Sequence, residues 1–477
     1  MSNSLRFLPS VDSVLASDAL AELRTCAGHD ATIAAIREQI ALARAAVLAE
    51  EFVFSDAGLG DDQTAGELLA WVTAHTAAAL TAGGKPNINR AVNATGIIMH
   101  TALGRSVYAP SVVESISDAL DGYVTLAVDC GTGKRSERSL RLEERLCQIT
   151  GAEAALVVNN NAGATMLALM ALAGGGEGIV SRGQLIEIGG SFRLPEVMEL
   201  SGVKLREIGA TNRVHLHDYA NAITDETTAI VRAHPSNYRV VGFHKEVGLD
   251  ELVTLAHDND LLVLDDLGAG ALVDLTQFGI PYEPTVQESL NAGADVVMVS
   301  TDKLIGAGQG GLLLGSKEAI ARCRKHPLYR VLRVDKTCLM VLERTLELFR
   351  NPDTLATTHP LYRMISLTIA ELREAAEAFI KLVSPQMTNW RLEIVESENF
   401  LGSGTMPMEA MKGIAVAATP PDGVSADEFA AFLRISEEHV FTRLHNGSVY
   451  FEMRCVTSGD QTRIAEAIAE AVSDIAV

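Results

Sequence analysis

No apolar run in the 477-residue sequence is long enough to cross a bilayer: the longest, around "TMLALMALA" at 165–173, falls far short of the ~20 residues a spanning helix needs. The first residues, "MSNSLRFLPS", lack a basic region followed by an apolar core, which argues against a secretory signal. The six cysteines (Cys26, Cys130, Cys147, Cys323, Cys338 and Cys455) form no CxxC pair, and none stands near a histidine at metal-ligand spacing. A disulfide framework and a metal site are therefore not expected. An excess of cations is missing too. Lys and Arg number 39 against 61 Asp and Glu, a formal charge of −22, which disfavours loose, non-specific nucleic-acid binding but leaves room for a local basic site. The expectation is a soluble protein of the reducing cytoplasm with no membrane partner.

The sequence is rich in what builds cores and tight turns: 48% hydrophobic residues and 39 glycines, over a length that suggests two or three domains. Residues 1–85 read as a helical domain, with apolar residues three and four apart, Ser17 and Asp18 as candidate caps and an interruption at Gly28. "TAGGKPN" at 81–87 reads as a linker. Residues 86–350 read as a large domain in which continuous apolar strands (154–158, 228–234, 261–268, 295–300) alternate with helices (162–173, 248–260, 285–293), and residues 351–477 as a small C-terminal α/β domain. Such alternation predicts a mainly parallel sheet covered on both faces. Ligands gather at the carboxyl ends of strands in these sheets. Asn159–Asn161, Ser236–Asn237, Asp265–Asp266 and Lys303 all fall just after predicted strands.

Lys303 follows the apolar run "DVVMVS" and precedes the glycine-rich "GAGQGG" of 306–311. That run matches G-x-G-x-x-G, but the dinucleotide motif needs a helix to follow and "LLLG" reads as a strand. A Walker loop fails as well, since its lysine comes after the glycines. A surface lysine at a strand end is the plain alternative. Its company favours another chemistry. A lysine that binds an aldehyde needs a partly dry site to lower its pKa. Pyridoxal phosphate needs that lysine, a carboxylate for its ring nitrogen, and a helix N-terminus with small residues and hydroxyls for its phosphate. Asn161, Ala162 and Gly163 open a predicted helix, Ser300 offers a hydroxyl, and Asp266 closes a predicted strand.

The stretches "AVNATGIIMHTALGRS" (91–106), "CGTGKRSERS" (130–139), "ITGAEAALVVNNNAGA" (149–164) and "SRGQLIEIGGSFRLPEVM" (181–198) are joined by "GATNRVHLHDY" (209–219), "HPSNYRVVGF" (234–243), "DLGAGALVDL" (266–275), "STDKLIGAGQGG" (300–311) and "HPLYRVLRVDK" (326–336). In this order the chain resembles the bacterial L-seryl-tRNA(Sec) selenium transferases, or selenocysteine synthases. The resemblance covers most of the chain. It implies a fold-type I pyridoxal-phosphate-dependent transferase (aspartate aminotransferase-like), with a mainly parallel sheet in a catalytic large domain. It also implies that residues 1–85 bind tRNA.

By that likeness Lys303 carries the cofactor's aldehyde, with Asp302 beside it. Asp266 faces the pyridinium nitrogen, Asp265 being the alternative because side chains alternate along a strand. The resemblance implies cofactor contacts from Asn161, Ala162, Gly163, Ser236, Asn237 and Ser300, stacking by His234, and a donor site of Arg105, Arg330 and Arg333. Guanidinium forks suit the tetrahedral oxyanion of selenophosphate. Lys134 and Arg135 would lie on a loop near the cofactor or a neighbouring subunit. The implied reaction converts seryl-tRNA(Sec) to selenocysteinyl-tRNA(Sec) through a dehydroalanyl intermediate, in a homo-oligomer built from dimers, up to a decamer. The alternatives are a related enzyme acting on a small amino acid or amino sugar without tRNA, and a catalytically silent tRNA-binding protein. Residues 1–85 hold five Lys or Arg against eleven Asp or Glu, few cations for phosphate contacts.

Overall fold

The computed structural model describes residues 4–49, 51–55, 60–84, 88–136, 139–190, 192–402, 405 and 410–475. The chain divides into two compact units, residues 1–90 and 91–477.

The first unit is helical. Val11–Leu15, Ala21–Ala27, His29–Leu48 and Asp61–Gly84 enclose a core of Val14, Leu20, Ile36, Ala43 and Val72. Gly28 breaks the chain between two of these helices with φ +86°, a left-handed value that glycine accepts without steric cost. Ser17 precedes a 3-10 turn without a capping bond; Ser10 is the cap, accepting from Ser13 N. The stretch "TAGG" finishes a 24-residue helix instead of opening a linker, and residues 85–87 lie outside the described residues.

In the second unit, among the described residues, a seven-stranded sheet runs in the order Ala154–Val158, Gly311–Gly315, Val296–Ser300, Leu262–Gly268, Thr227–Ala233, Glu177–Ser181, Lys204–Ile208. Gly311–Gly315 is antiparallel to both its neighbours, and the remaining neighbours pair in parallel. Its strands are apolar on both faces because both faces are covered. Val157, Val263, Val297, Val299 and Leu312 pack into one core, whereas Leu156, Leu264, Val296, Met298 and Leu313 pack into the other. Glu177–Ser181 and Lys204–Ile208 were not evident as strands in the sequence. The second of them, "KLREI", is an edge strand with a mostly exposed, charged face.

A five-stranded sheet holds Arg391–Asn399, Met411–Thr419, Val440–His445 and Ser448–Glu452. Its remaining strand, Val92–Ala94, comes from the far end of the unit and pairs in parallel with Val440–His445. Helices Ile369–Val383, Ala426–Ile435 and Ser458–Ile475 cover one face through Phe379, Phe429, Leu433, Ile464 and Ile468. Among the described residues no helix is long and apolar enough to cross a membrane.

Candidate active site

Three segments of the large sheet converge at the carboxyl ends of its strands. Val296–Ser300 runs into a turn that carries Asp302 and Lys303 and returns through Gly311–Gly315. Leu262–Gly268 delivers Asp265 and Asp266 in its last residues, where the register shifts between Asp266 and Gly268. Ala154–Val158 leads through Asn159 and Asn160 into the helix Asn161–Ala168.

Lys303 is 5% exposed. Burial pulls its pKa below the ordinary lysine value; the Arg105 guanidinium lowers it further, while Asp266, Asp302 and Glu283 work against the shift. Asp266 is equally buried, and burial pushes its carboxyl above the usual range. Asn161 Nδ2 donates to Asp266 Oδ1 at 2.9 Å and Thr165 Oγ1 to Oδ2 at 2.8 Å. A Cβ on Gly268, whose φ is +64°, would stand 3.9 Å from Asp266 Oδ1 and 4.0 Å from Lys303 Nζ, so amine and carboxylate converge over a residue with no side chain. Asp265 points to the opposite face of the strand, where Arg232 Nη1 meets its Oδ1 at 2.8 Å. The alternation that left two aspartates open in the sequence thus gives them different partners.

The helix start is a tight cradle. Asn160 caps it in extended conformation, accepting from Gly163 N at 2.7 Å. A Cβ on Gly163 would come within 2.8 Å of Leu332 Cδ2 and 3.2 Å of Asn160 Oδ1. Asn159 N donates to Leu332 O at 3.0 Å, which seats the segment between Arg330 and Arg333 against this helix start. Ser236 Oγ, Asn237 Oδ1 and Asn161 Oδ1 are buried polar atoms with no hydrogen-bond partner among the described residues, and such atoms are rare unless a ligand or water meets them. Asn237 Nδ2 is held by Glu187 O at 2.8 Å. His234 Nε2 lies 3.2 Å from the buried Glu283 Oε1.

Two expected site residues have other engagements. Ser300 Oγ donates to Asp302 Oδ1 at 2.8 Å, so its hydroxyl serves the aspartate next to Lys303. Arg105 Nη1 sits 2.9 and 2.8 Å from the two Asp302 oxygens. It does so from a left-handed backbone, φ +66°, that non-glycine residues rarely adopt and that clusters at functional sites. Arg330 and Arg333 are exposed, line one cavity of about 180 Å³ with Ser139, Tyr329 and Leu339, and have no ion-pair partner among the described residues. Lys134 and Arg135 are exposed on a turn closed by Asp129 N to Lys134 O, 2.9 Å. Thr165 is a site residue that the sequence signalled only indirectly, standing one helical turn after Asn161 on the same face. Ser106, whose Oγ donates to Lys303 O at 2.9 Å, is distant in sequence and gave no signal.

Comparison with known proteins follows this geometry. The family described as L-seryl-tRNA selenium transferase matches residues 91–457, and the one described as selenocysteine synthase N terminal matches residues 5–44. The chain is 40% identical over 470 residues to an L-seryl-tRNA(Sec) selenium transferase of Geotalea daltonii, covering 98% of this chain and 99% of the relative. It is 40% identical over 467 residues to the protein of that name from Geobacter sulfurreducens, with the same coverage. Among solved structures it shares the fold of D-glucosaminate-6-phosphate ammonia-lyase, with a TM-score of 0.57 and 21% identity over 82% of this chain and 97% of that one.

Proposed function

The chain belongs to the L-seryl-tRNA selenium transferase family, and from that premise we infer that it converts seryl-tRNA(Sec) to selenocysteinyl-tRNA(Sec) with selenophosphate as donor, as a cytoplasmic homo-oligomer built from dimers. The fold is the fold-type I architecture of pyridoxal-phosphate enzymes. The observation that carries the reading is the buried amine of Lys303 set beside the buried carboxylate of Asp266, over Gly268.

The residues fit pyridoxal phosphate. A buried amine whose pKa is pulled down suits its aldehyde, and a buried carboxylate held by Asn161 and Thr165 suits its ring nitrogen. The start of the helix Asn161–Ala168, closely packed at Gly163, suits its phosphate by the helix's positive end. The unpartnered atoms of Asn161, Ser236 and Asn237 face the same need for polar ligands. When bound, the cofactor supplies an electron sink for loss of the α-proton from the seryl group and departure of its β-hydroxyl.

The chain's own residues then have separable tasks. Lys303 Nζ, whose pKa burial and Arg105 lower, can take and return a proton at its nitrogen. Asn161 and Thr165 hold the Asp266 carboxylate by both oxygens and so fix its direction. Asp302 holds the Arg105 guanidinium beside Lys303. We assign Arg105, Arg330 and Arg333 to the tetrahedral donor, since planar guanidinium forks match oxyanions better than ammonium groups do. The nearly full-length 40% identity to proteins named for this reaction favours it over an amino-acid or amino-sugar enzyme without tRNA.

Binding of seryl-tRNA(Sec) and of ordinary seryl-tRNA to the cofactor-loaded protein, compared across a salt series, tests the reading. Selective binding that survives moderate salt is the expected result, and equal or absent binding would overturn it.

A further inference from the structure

The turn that carries Lys303 is pinned at four successive carbonyls. Ser106 Oγ meets Asp302 O at 3.2 Å and Lys303 O at 2.9 Å. Tyr362 Oη donates to Leu304 O at 3.0 Å, and His359 Nε2 lies 3.0 Å from Ile305 O. A carbonyl can only accept, so His359 carries its proton on Nε2. His359 and Tyr362 are 1% and 0% exposed, more than fifty residues away in sequence, at the start of the helix Pro360–Ser366. Their rings stack edge-to-face, centroids 5.0 Å apart, within a cluster completed by Phe278 and Phe349. Gly306 answers this pair. Its φ is +71°, and a Cβ there would stand 2.3 Å from His359 Cε1, so the imidazole reaches the turn only because residue 306 has no side chain. Neither side chain enters the arrangement of Asp266, Asn161 and Asp302 already described.

We propose that His359 and Tyr362 are positioning residues for Lys303, fixing its turn so that the amine faces Asp266 across Gly268. The inference rests on the reading of Lys303 as the cofactor lysine. Buried donors that satisfy backbone carbonyls in a glycine-rich turn remove the freedom such a turn otherwise has, and small misplacements at a reacting atom are costly. Leu304 and Ile305, both fully buried, anchor the apolar side of the same turn, and the two hydrogen bonds select its orientation.

The test uses the full chain without cofactor. Lysines are methylated with limiting formaldehyde and cyanoborohydride from pH 6 to 10, and the Lys303 peptide is read by mass spectrometry. Lys303 should titrate below the exposed lysines, because burial and Arg105 outweigh the opposing carboxylates of Asp266, Asp302 and Glu283. Tyr362→Phe and His359→Leu should each move that midpoint toward the ordinary lysine value and slow pyridoxal phosphate uptake by about 10- to 100-fold. His359→Gln, whose amide can donate to Ile305 O, should restore most of both. Phe278→Leu, which loosens packing on Tyr362 and keeps both hydrogen bonds, should lower Tm and leave the midpoint in place. A midpoint that stays at the wild-type value in Tyr362→Phe and His359→Leu, whatever happens to Tm, overturns the proposal. A wild-type chain that takes up no pyridoxal phosphate would instead contradict the functional reading, and the methylation midpoints would still decide the positioning role.

Discussion

Burial works on Lys303 and Asp266 in opposite senses, and each is driven toward its uncharged form. For the amine this is a cost to folding at neutral pH, because the unfolded chain binds a proton that the native site resists. Lys303→Met keeps the volume and removes the amine. It should therefore raise the Tm of the cofactor-free protein while lowering product formation by more than about 100-fold, a trade between stability and function that melting and turnover assays will show side by side. His359 supplies a pH dependence of its own. Burial lowers its pKa from 6.5 to about 4. The native imidazole then stays neutral while the unfolded one protonates, so stability is complete above about pH 6.5 and is lost as pH falls toward 4. The full loss is about 3 kcal/mol. Urea denaturation at pH 7 and pH 4.5 should show a smaller acid loss in His359→Gln than in the parent chain. An equal loss in both would rule out His359 as its source.

The helix Asn161–Ala168 is the element on which the site depends most visibly. Gly163→Ala should cost roughly 1–3 kcal/mol, since the new methyl meets Leu332 and the Asn160 carboxamide together. It should also weaken retention of pyridoxal phosphate during gel filtration; retention equal to the parent would detach the cradle from the phosphate. This helix and the strand leading into it were legible in the sequence, because uninterrupted apolar runs ending in Asn, Asp or Ser are what a doubly covered sheet leaves behind. Other elements were not. The charged edge strand Lys204–Ile208 carries no apolar run, and Val92–Ala94 belongs to a sheet whose other strands begin only at Arg391. The helix Asp61–Gly84 continues through two glycines that read as a linker. Within the site, Lys303, Asp266 and the helix start stood out by position on their strands. The engagement of Arg105 with Asp302, and the clamp of His359 and Tyr362 on the turn, arise from contacts between distant segments that no local pattern encodes.

At the scale of the whole molecule, the proposed reaction asks an acidic chain, of formal charge −22, to hold a polyanionic substrate. In the first unit Arg6 is paired with Asp61 at 2.8 Å, and Arg24 Nη1 donates to Leu15 O at 3.2 Å. Arg37 and Arg44, both exposed, stand seven residues apart on the helix His29–Leu48 and so share one face. If these two carry the phosphate contacts of this unit, its contribution to the slope of log K against log salt is about −2, far shallower than for a basic nucleic-acid binder. The double variant Arg37→Gln, Arg44→Gln should weaken tRNA binding and flatten the slope by that amount, and an unchanged slope would place the contacts elsewhere. The central claim is the reaction itself. Its most direct test incubates the pyridoxal-phosphate-loaded protein with seryl-tRNA(Sec) and radiolabelled selenophosphate and measures selenium attached to the tRNA. Label should appear as selenocysteinyl-tRNA(Sec) with the parent chain and disappear with Lys303→Met. A loaded protein that leaves seryl-tRNA(Sec) unlabelled would contradict the account.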